Sequence, residues 1–304
     1  MAQLPAPGDR EGGSNQAMQT HASHALPAGH GWTGWDLLIC GGLLLAIALY
    51  AVGLWRLWKR AGPGVGVRWW EALAFVGAWV TLAIALVSPL DTLSDRLFSA
   101  HMTQHELLML VAAPLLVLGR PLVVAPWLLS SPARKHLRRW QSPALRRGWR
   151  WLTAPLTVVL LHGAVVWVWH VPVLFEAALH SDSVHAVQHF GFFWTAALFW
   201  WALAHGRYGR LGYGMSVVFV FLTAMHQSIL GALLTFAPSS WYPTYEVRAA
   251  ADAVDPVTDQ QLAGLLMWIP SGAIFLVIGL ALFAAWLGEA ERRMALADRP
   301  ARSL

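Results

Sequence analysis

Cysteine is nearly missing from this 304-residue chain: Cys40 is the only one. That excludes a disulfide framework within one chain and any cysteine-rich zinc or iron–sulfur site. Charge is scarce as well. Asp, Glu, Lys and Arg make up 12% of the residues, against roughly a quarter in an average soluble domain. So few charges cannot coat a water-soluble globule of this size. A mean hydropathy of +0.50 with 57% hydrophobic residues points to a bilayer instead. There is no Walker loop, dinucleotide fingerprint or internal repeat, and no Ser-His-Asp order or acid–base pair that would suggest an enzyme. What the chain has in plenty is tryptophan, 19 residues, and histidine, 13 residues.

A helix needs about 20 mostly apolar residues to cross the hydrocarbon core. Seven segments qualify: Trp35–Trp55, Trp69–Leu90, Leu97–Leu118, Thr153–Val171, His185–Ala204, Tyr213–Phe236 and Leu262–Leu287. None alternates with the period of two of a transmembrane strand. The expected fold is therefore all-α, a polytopic seven-transmembrane-helix bundle over 34–288. An extracytoplasmic tail over 1–33 precedes it; polar, and lacking the apolar core of a signal peptide, it reads as disordered. A short cytoplasmic tail over 289–304 follows.

Lys and Arg set the expected direction. The first connection holds Arg56, Lys59, Arg60 and Arg68, the third holds eight basic residues from Arg120 to Arg150, and the fifth holds Arg207 and Arg210. Arg292, Arg293, Arg299 and Arg302 lie in the last tail. The remaining connections and the first tail share only Arg10, Arg96 and Arg248, and carry acids such as Asp91, Asp95, Glu176, Asp182 and Asp252. The alternation predicts the N terminus outside and the C terminus in the cytoplasm. It also accounts for the net charge of +5 without nucleic acid. Trp55, Trp58, Trp69, Trp70 and Trp241 flank the spans as interfacial belt residues, and Pro121–Leu129 reads as a segment lying at the inner membrane surface.

With that orientation, eleven of the 13 histidines fall at mid-membrane depth or further out; only His136 and His205 are cytoplasmic. His101–His105 and His185–His189 are i,i+4 pairs opening the third and fifth spans from outside. Such pairs share one helix face, about 6 Å apart in rise, and two imidazoles so placed can converge on one ion. His170 closes the fourth span at the same level. Imidazole with thioether and no thiolate cluster suits copper better than structural zinc. The metal ligands expected are His101, His105, His185 and His189, then His170 and Met102. Glu106, Gln188, Asp259 and Gln260 are expected to orient the rings through the nitrogen not bound to metal. His162, His226 and Met225 lie deeper and read either as interhelical hydrogen-bonding groups or as ligands. The plain alternative for each His pair is a polar packing contact between helices.

The stretch His101-Met102-Thr103-Gln104-His105, continued by Leu107-Leu108-Met109 and Ala113-Pro114-Leu115, resembles the signature of the CtaG-type cytochrome c oxidase (caa-type) assembly factors. Three further blocks resemble it in order and spacing. These are Trp169-His170-Val171-Pro172 with His185-Ala186-Val187-Gln188-His189, then Met225-His226-Gln227 through Tyr242-Pro243-Thr244-Tyr245, then Asp259-Gln260-Gln261 with Met267-Trp268. The resemblance implies a role in maturing the oxidase, concerned with its copper centres, in the respiratory chain. The expected function is a copper-binding, non-enzymatic assembly factor of the bacterial cytoplasmic membrane that delivers the ion to an oxidase subunit. Its expected partners are cytochrome c oxidase subunits, other copper chaperones and the lipid bilayer. A bis-histidine haem protein, a copper permease and a metal-free assembly scaffold stand as alternatives.

Overall fold

The computed structural model describes residues 34–139, 142–205 and 213–297. The predicted first tail with His21, His24 and His30, the basic pair Arg207 and Arg210, and the last residues of the final tail lie outside the described residues. Every regular element among the described residues is helical. Five helical stretches are long and apolar enough to cross a bilayer: Gly34–Ala61, Trp69–Val87, Phe98–Leu128, Gly214–Thr235 and Pro256–Met294. A sixth arises if α8 (Pro143–Leu152) and α9 (Pro155–Trp169), bent by 59° at the break between them, are one span. The chain is a helical membrane protein. The fifth predicted span coincides with a helix of 24 residues, Asp182–His205, whose histidines and glutamine keep it from the same degree of apolarity.

In chain order, α1 (Gly34–Ala61) and α2 (Trp69–Val87) are followed by the short α3 (Pro89–Ser94). Then α4 (Phe98–Glu106) passes through a π-helical stretch, Leu107–Ala112, into α5 (Ala113–Leu118). A short α6 (Pro121–Val124), a 3-10 turn (Ala125–Leu128) and α7 (Ser131–Arg139) occupy the connection that was expected to lie along the membrane surface. Beyond α8 and α9 come α10 (Pro172–Leu179), α11 (Asp182–His205), α12 (Tyr213–Thr235), α13 (Pro243–Ala251) and α14 (Pro256–Ala297). The helix α14 runs well past both predicted ends of its span, with Pro270 inside it.

Two local features set the register of the central helices. The first is Pro114. In π-helical register the partner of the Met109 carbonyl is the amide five residues on, and proline has none. The indole of Trp200 on α11 donates to that carbonyl instead, at 2.8 Å, and so ties α11 to the rod that carries His101 and His105. The second is the crossing of α12 and α14. A Cβ on Gly264 would stand 2.6 Å from the Gly231 carbonyl oxygen and 2.7 Å from the Thr235 amide nitrogen. Only glycine permits that backbone approach, the small-residue contact on which membrane helices associate.

The crossing matters because α14 holds α4. Leu97, the residue before α4, gives that helix no side-chain cap. Asp259 of α14 supplies one from across the bundle. Its carboxylate accepts from the Phe98 amide at 2.7 Å, from the Ser99 amide at 3.3 Å and from the Ser99 hydroxyl. An anion at a helix N-terminus satisfies donors that the helix itself leaves open. It stands here one turn before His101.

Candidate metal centre

The N-terminal turns of α4 and α11 meet face to face. His101 and His105 on α4 approach His185 and His189 on α11, each pair brought to one side by its i,i+4 spacing. Ring centroids lie 4.4 Å apart for His101–His105, 5.0 Å for His101–His185, 5.1 Å for His105–His189 and 4.1 Å for His185–His189. One nitrogen from each of the four rings lies within 4.8 Å of all the others. His101 and His105 are buried, while His185 is partly exposed.

The hydrogen bonding leaves one edge of these rings without partners. Nε2 of His101, His105, His185 and His189 is buried and unpaired in all four, and His105 leaves Nδ1 unpaired too. Burying a polar nitrogen without a partner costs about 1–3 kcal/mol. Four such rings, each with one nitrogen within 4.8 Å of the others, make a pattern that packing alone does not favour.

The orientation of His101 is fixed from behind by Tyr245 of α13. The Tyr245 hydroxyl donates to the Ser94 carbonyl at 2.7 Å, which uses its single proton, and stands 2.9 Å from His101 Nδ1. Burial pushes the phenol well above its ordinary pKa, so the proton stays. Nδ1 of His101 is then the donor and Nε2 carries the free lone pair. Tyr245→Phe removes that lock while keeping the ring. We expect metal affinity to fall on the order of 10–100-fold, as for other groups that orient a metal-binding imidazole. Binding titrations of the two proteins check this, and equal affinities would contradict the assigned tautomer.

The other residues singled out in the sequence occupy several places. His170 lies nearby, its ring 6.4 Å from that of His105. Its Nδ1 donates to the Val166 carbonyl at 2.7 Å, its Nε2 is buried without a partner, and it stands outside the group of four. Met102 is buried in the apolar core. Glu106 keeps one carboxyl oxygen buried and unpaired, and Gln188 both polar atoms of its amide. Asp259 and Gln260 were expected to orient the rings; their hydrogen bonds go elsewhere. Asp259 caps α4. Gln260 accepts from the Trp241 amide at 2.7 Å and donates to the Ser239 carbonyl at 3.2 Å, holding the loop before α13.

His162 and His226 form a separate, deeper pair with centroids 6.3 Å apart. Nδ1 of His162 donates to Thr195 Oγ1 at 3.0 Å, and its Nε2 faces the Gln227 amide nitrogen at 3.3 Å. It thus links α9, α11 and α12. His226 leaves both nitrogens buried and unpaired. Met225 is 42% exposed on the bundle's outer surface.

Sequence reasoning missed Tyr245, although its block stood among the motifs. It missed the stitching of the connections around the cluster as well. Glu176 of α10 accepts from the Thr244 amide at 3.2 Å and from the Thr244 hydroxyl, capping α13. The Tyr242 hydroxyl donates to the His170 carbonyl at 3.0 Å. Arg96 pairs with Asp252, and Arg248 donates to the Asp95 carbonyl at 2.8 Å. These bonds fasten α3, α10 and α13 over the cluster.

Fold and cluster together define a class: helical membrane proteins with a buried histidine centre at one end of the bundle. Within it, the chain belongs to the cytochrome c oxidase caa3 assembly factor family (Caa3_CtaG), whose model matches residues 48–289. Similar proteins occur in Mycobacterium bovis and Mycobacterium tuberculosis, each 26% identical over 283 residues, and in Mycobacterium leprae, 25% identical over 288 residues. Each match covers 90% of this chain and 42% of the relative, so the chain spans less than half the length of these mycobacterial proteins. No solved structure matches it significantly.

Proposed function

We propose that His101, His105, His185 and His189 hold a copper ion on the outer side of the bacterial cytoplasmic membrane, as cargo for a subunit of cytochrome c oxidase. The observation that carries this reading is the set of four buried, unpartnered Nε2 atoms, with donors within 4.8 Å of one another. Metal–imidazole bonds of about 2.0–2.1 Å place tetrahedral donors about 3.3 Å apart. Small side-chain movements close the gap. Membership of an oxidase assembly factor family supports the oxidase as the destination. In this reading all seven helices span the membrane, with the N terminus outside, and the protein is a carrier rather than an enzyme.

Charge favours copper(I). The donors are four neutral imidazoles with no carboxylate among them, so a bound ion keeps its full charge in a poorly solvated site. Desolvation cost grows with the square of the charge, which penalises zinc(II) about fourfold relative to a monovalent ion. His185 is the exposed edge of the site, and the Asp95 and Asp182 carboxylates act on it electrostatically. Acids at the mouth draw cations toward the rings without binding in the centre. The haem alternative is less well supported, because rings 4.1–5.1 Å apart leave no slot for a porphyrin between them.

The test is competition on the purified protein. Under reducing conditions, copper(I) is expected to bind one-to-one and to displace zinc(II), with no Soret band before or after loading. Preferential retention of zinc, or a haem spectrum in protein as isolated, overturns the reading.

A further inference from the structure

Beyond the end of the α4–α5 rod remote from the histidines, four cations surround one cavity. Its volume is about 450 Å³, and Arg56, Lys59 and Arg60 of α1 face Arg134 of α7 across it, with Ser130 and Ser131 between them. Among the described residues no carboxylate lines it. Among the described residues the basic groups are held by neutral partners. Arg56 donates to the Leu128 carbonyl at 2.8 Å, and Arg60 and Arg134 reach the Ser131 hydroxyl at 3.4 and 3.3 Å. Lys59 lies 5.0 Å from the Trp55 ring centroid, and the Arg134 guanidinium 4.2 Å from that of Trp127.

Four like charges gathered without an acid repel one another, and a bound anion offsets that repulsion. A phosphodiester suits this site: guanidinium forks pair with two phosphate oxygens, and the serine hydroxyls and ammonium donate to others. The surrounding surface points to a lipid rather than a free anion. Leu45, Leu49, Val52 and Trp55 form an exposed apolar strip along α1 that leads to the cavity, a track for acyl chains. Tryptophans beside basic residues are the usual furniture of the headgroup level. We propose that this cavity is a specific site for the phosphate of an anionic phospholipid, seating the connection between α5 and α8 against α1. It is independent of the metal reading.

Full-length protein in detergent, titrated with phosphatidylglycerol and with phosphatidylcholine and followed by native mass spectrometry, tests this. Phosphatidylglycerol is expected to be retained one-to-one and phosphatidylcholine to be lost. Lys59→Gln/Arg60→Gln is expected to weaken retention on the order of tenfold or more, from the contribution of each basic residue near a headgroup. The control Arg146→Gln/Arg147→Gln removes the same charge from exposed positions of α8 outside the cavity and is expected to leave retention unchanged. Equal weakening in both variants indicates diffuse attraction and overturns the proposal. So does displacement of the lipid by millimolar inorganic phosphate, which assigns a free-anion site.

Discussion

His101→Ala/His105→Ala is expected to abolish copper binding and leave the bundle folded. The substitution removes half the donor set, and the two remaining imidazoles sit on one helix turn with no ring from α4 opposite. Apo stability is expected to change little, because two effects oppose each other. Truncating two packed rings forfeits contacts, about 2–4 kcal/mol for buried side chains of that size. It also removes three buried nitrogens that have no hydrogen-bond partner, Nε2 of His101 and both of His105, each costing about 1–3 kcal/mol. The difference appears when metal is added. Binding to the folded state alone stabilises it by about 4 kcal/mol at a thousandfold excess over Kd. Copper is therefore expected to raise the melting temperature of the wild-type protein, a chelator to return it to the metal-free value, and the double variant to respond to neither. An equal copper-dependent shift in both proteins contradicts the assignment.

The second large effect is expected at Asp259. Its carboxylate accepts from the first two amides of α4, and both Phe98 and Ser99 are buried. Asp259→Ala leaves two amides and a hydroxyl to find partners in an apolar setting, and the helix N-terminus loses its compensating charge. The expected loss is on the order of 3–5 kcal/mol, summing unsatisfied donors at about 1–3 kcal/mol each. Asp259→Asn keeps an acceptor oxygen in place but not the charge, and is expected to fall between. Chemical unfolding in detergent micelles measures both. A loss under about 0.5 kcal/mol for the alanine variant, the scale of an ordinary surface substitution, contradicts the cap.

The positions of the long helices were legible because hydropathy reports them directly, and five of them, or six with α8 and α9 as one span, are apolar enough to cross a bilayer. Predicted segments overlie α1, α2, the α4–α5 rod, α9, α11, α12 and α14. The facing of the histidine pairs was legible too, since i,i+4 spacing fixes a shared side before any tertiary contact is known. Other features carry no local signal. The short helices α3, α10 and α13 lie in connections where hydropathy is silent, and each begins at a proline, a turn mark as much as a helix start. Asp259 looked like a carboxylate near imidazoles; only the crossing of α14 with α4 reveals that its partners are backbone amides. Tyr245 lies 144 positions from His101, so nothing in its neighbourhood in the sequence marks the contact. The π-helical turn follows from Pro114 and a tryptophan on another helix, a pairing that one segment read alone cannot disclose.

The central claim is that imidazoles from α4 and α11 share one ion. X-ray absorption at the copper edge of copper(I)-loaded protein measures this directly. The account predicts a first shell of nitrogen only, with the outer-shell scattering of three to four imidazole rings, reduced to at most two rings or lost in His185→Ala/His189→Ala. A shell dominated by sulfur or by oxygen, or one unchanged by that substitution, contradicts it.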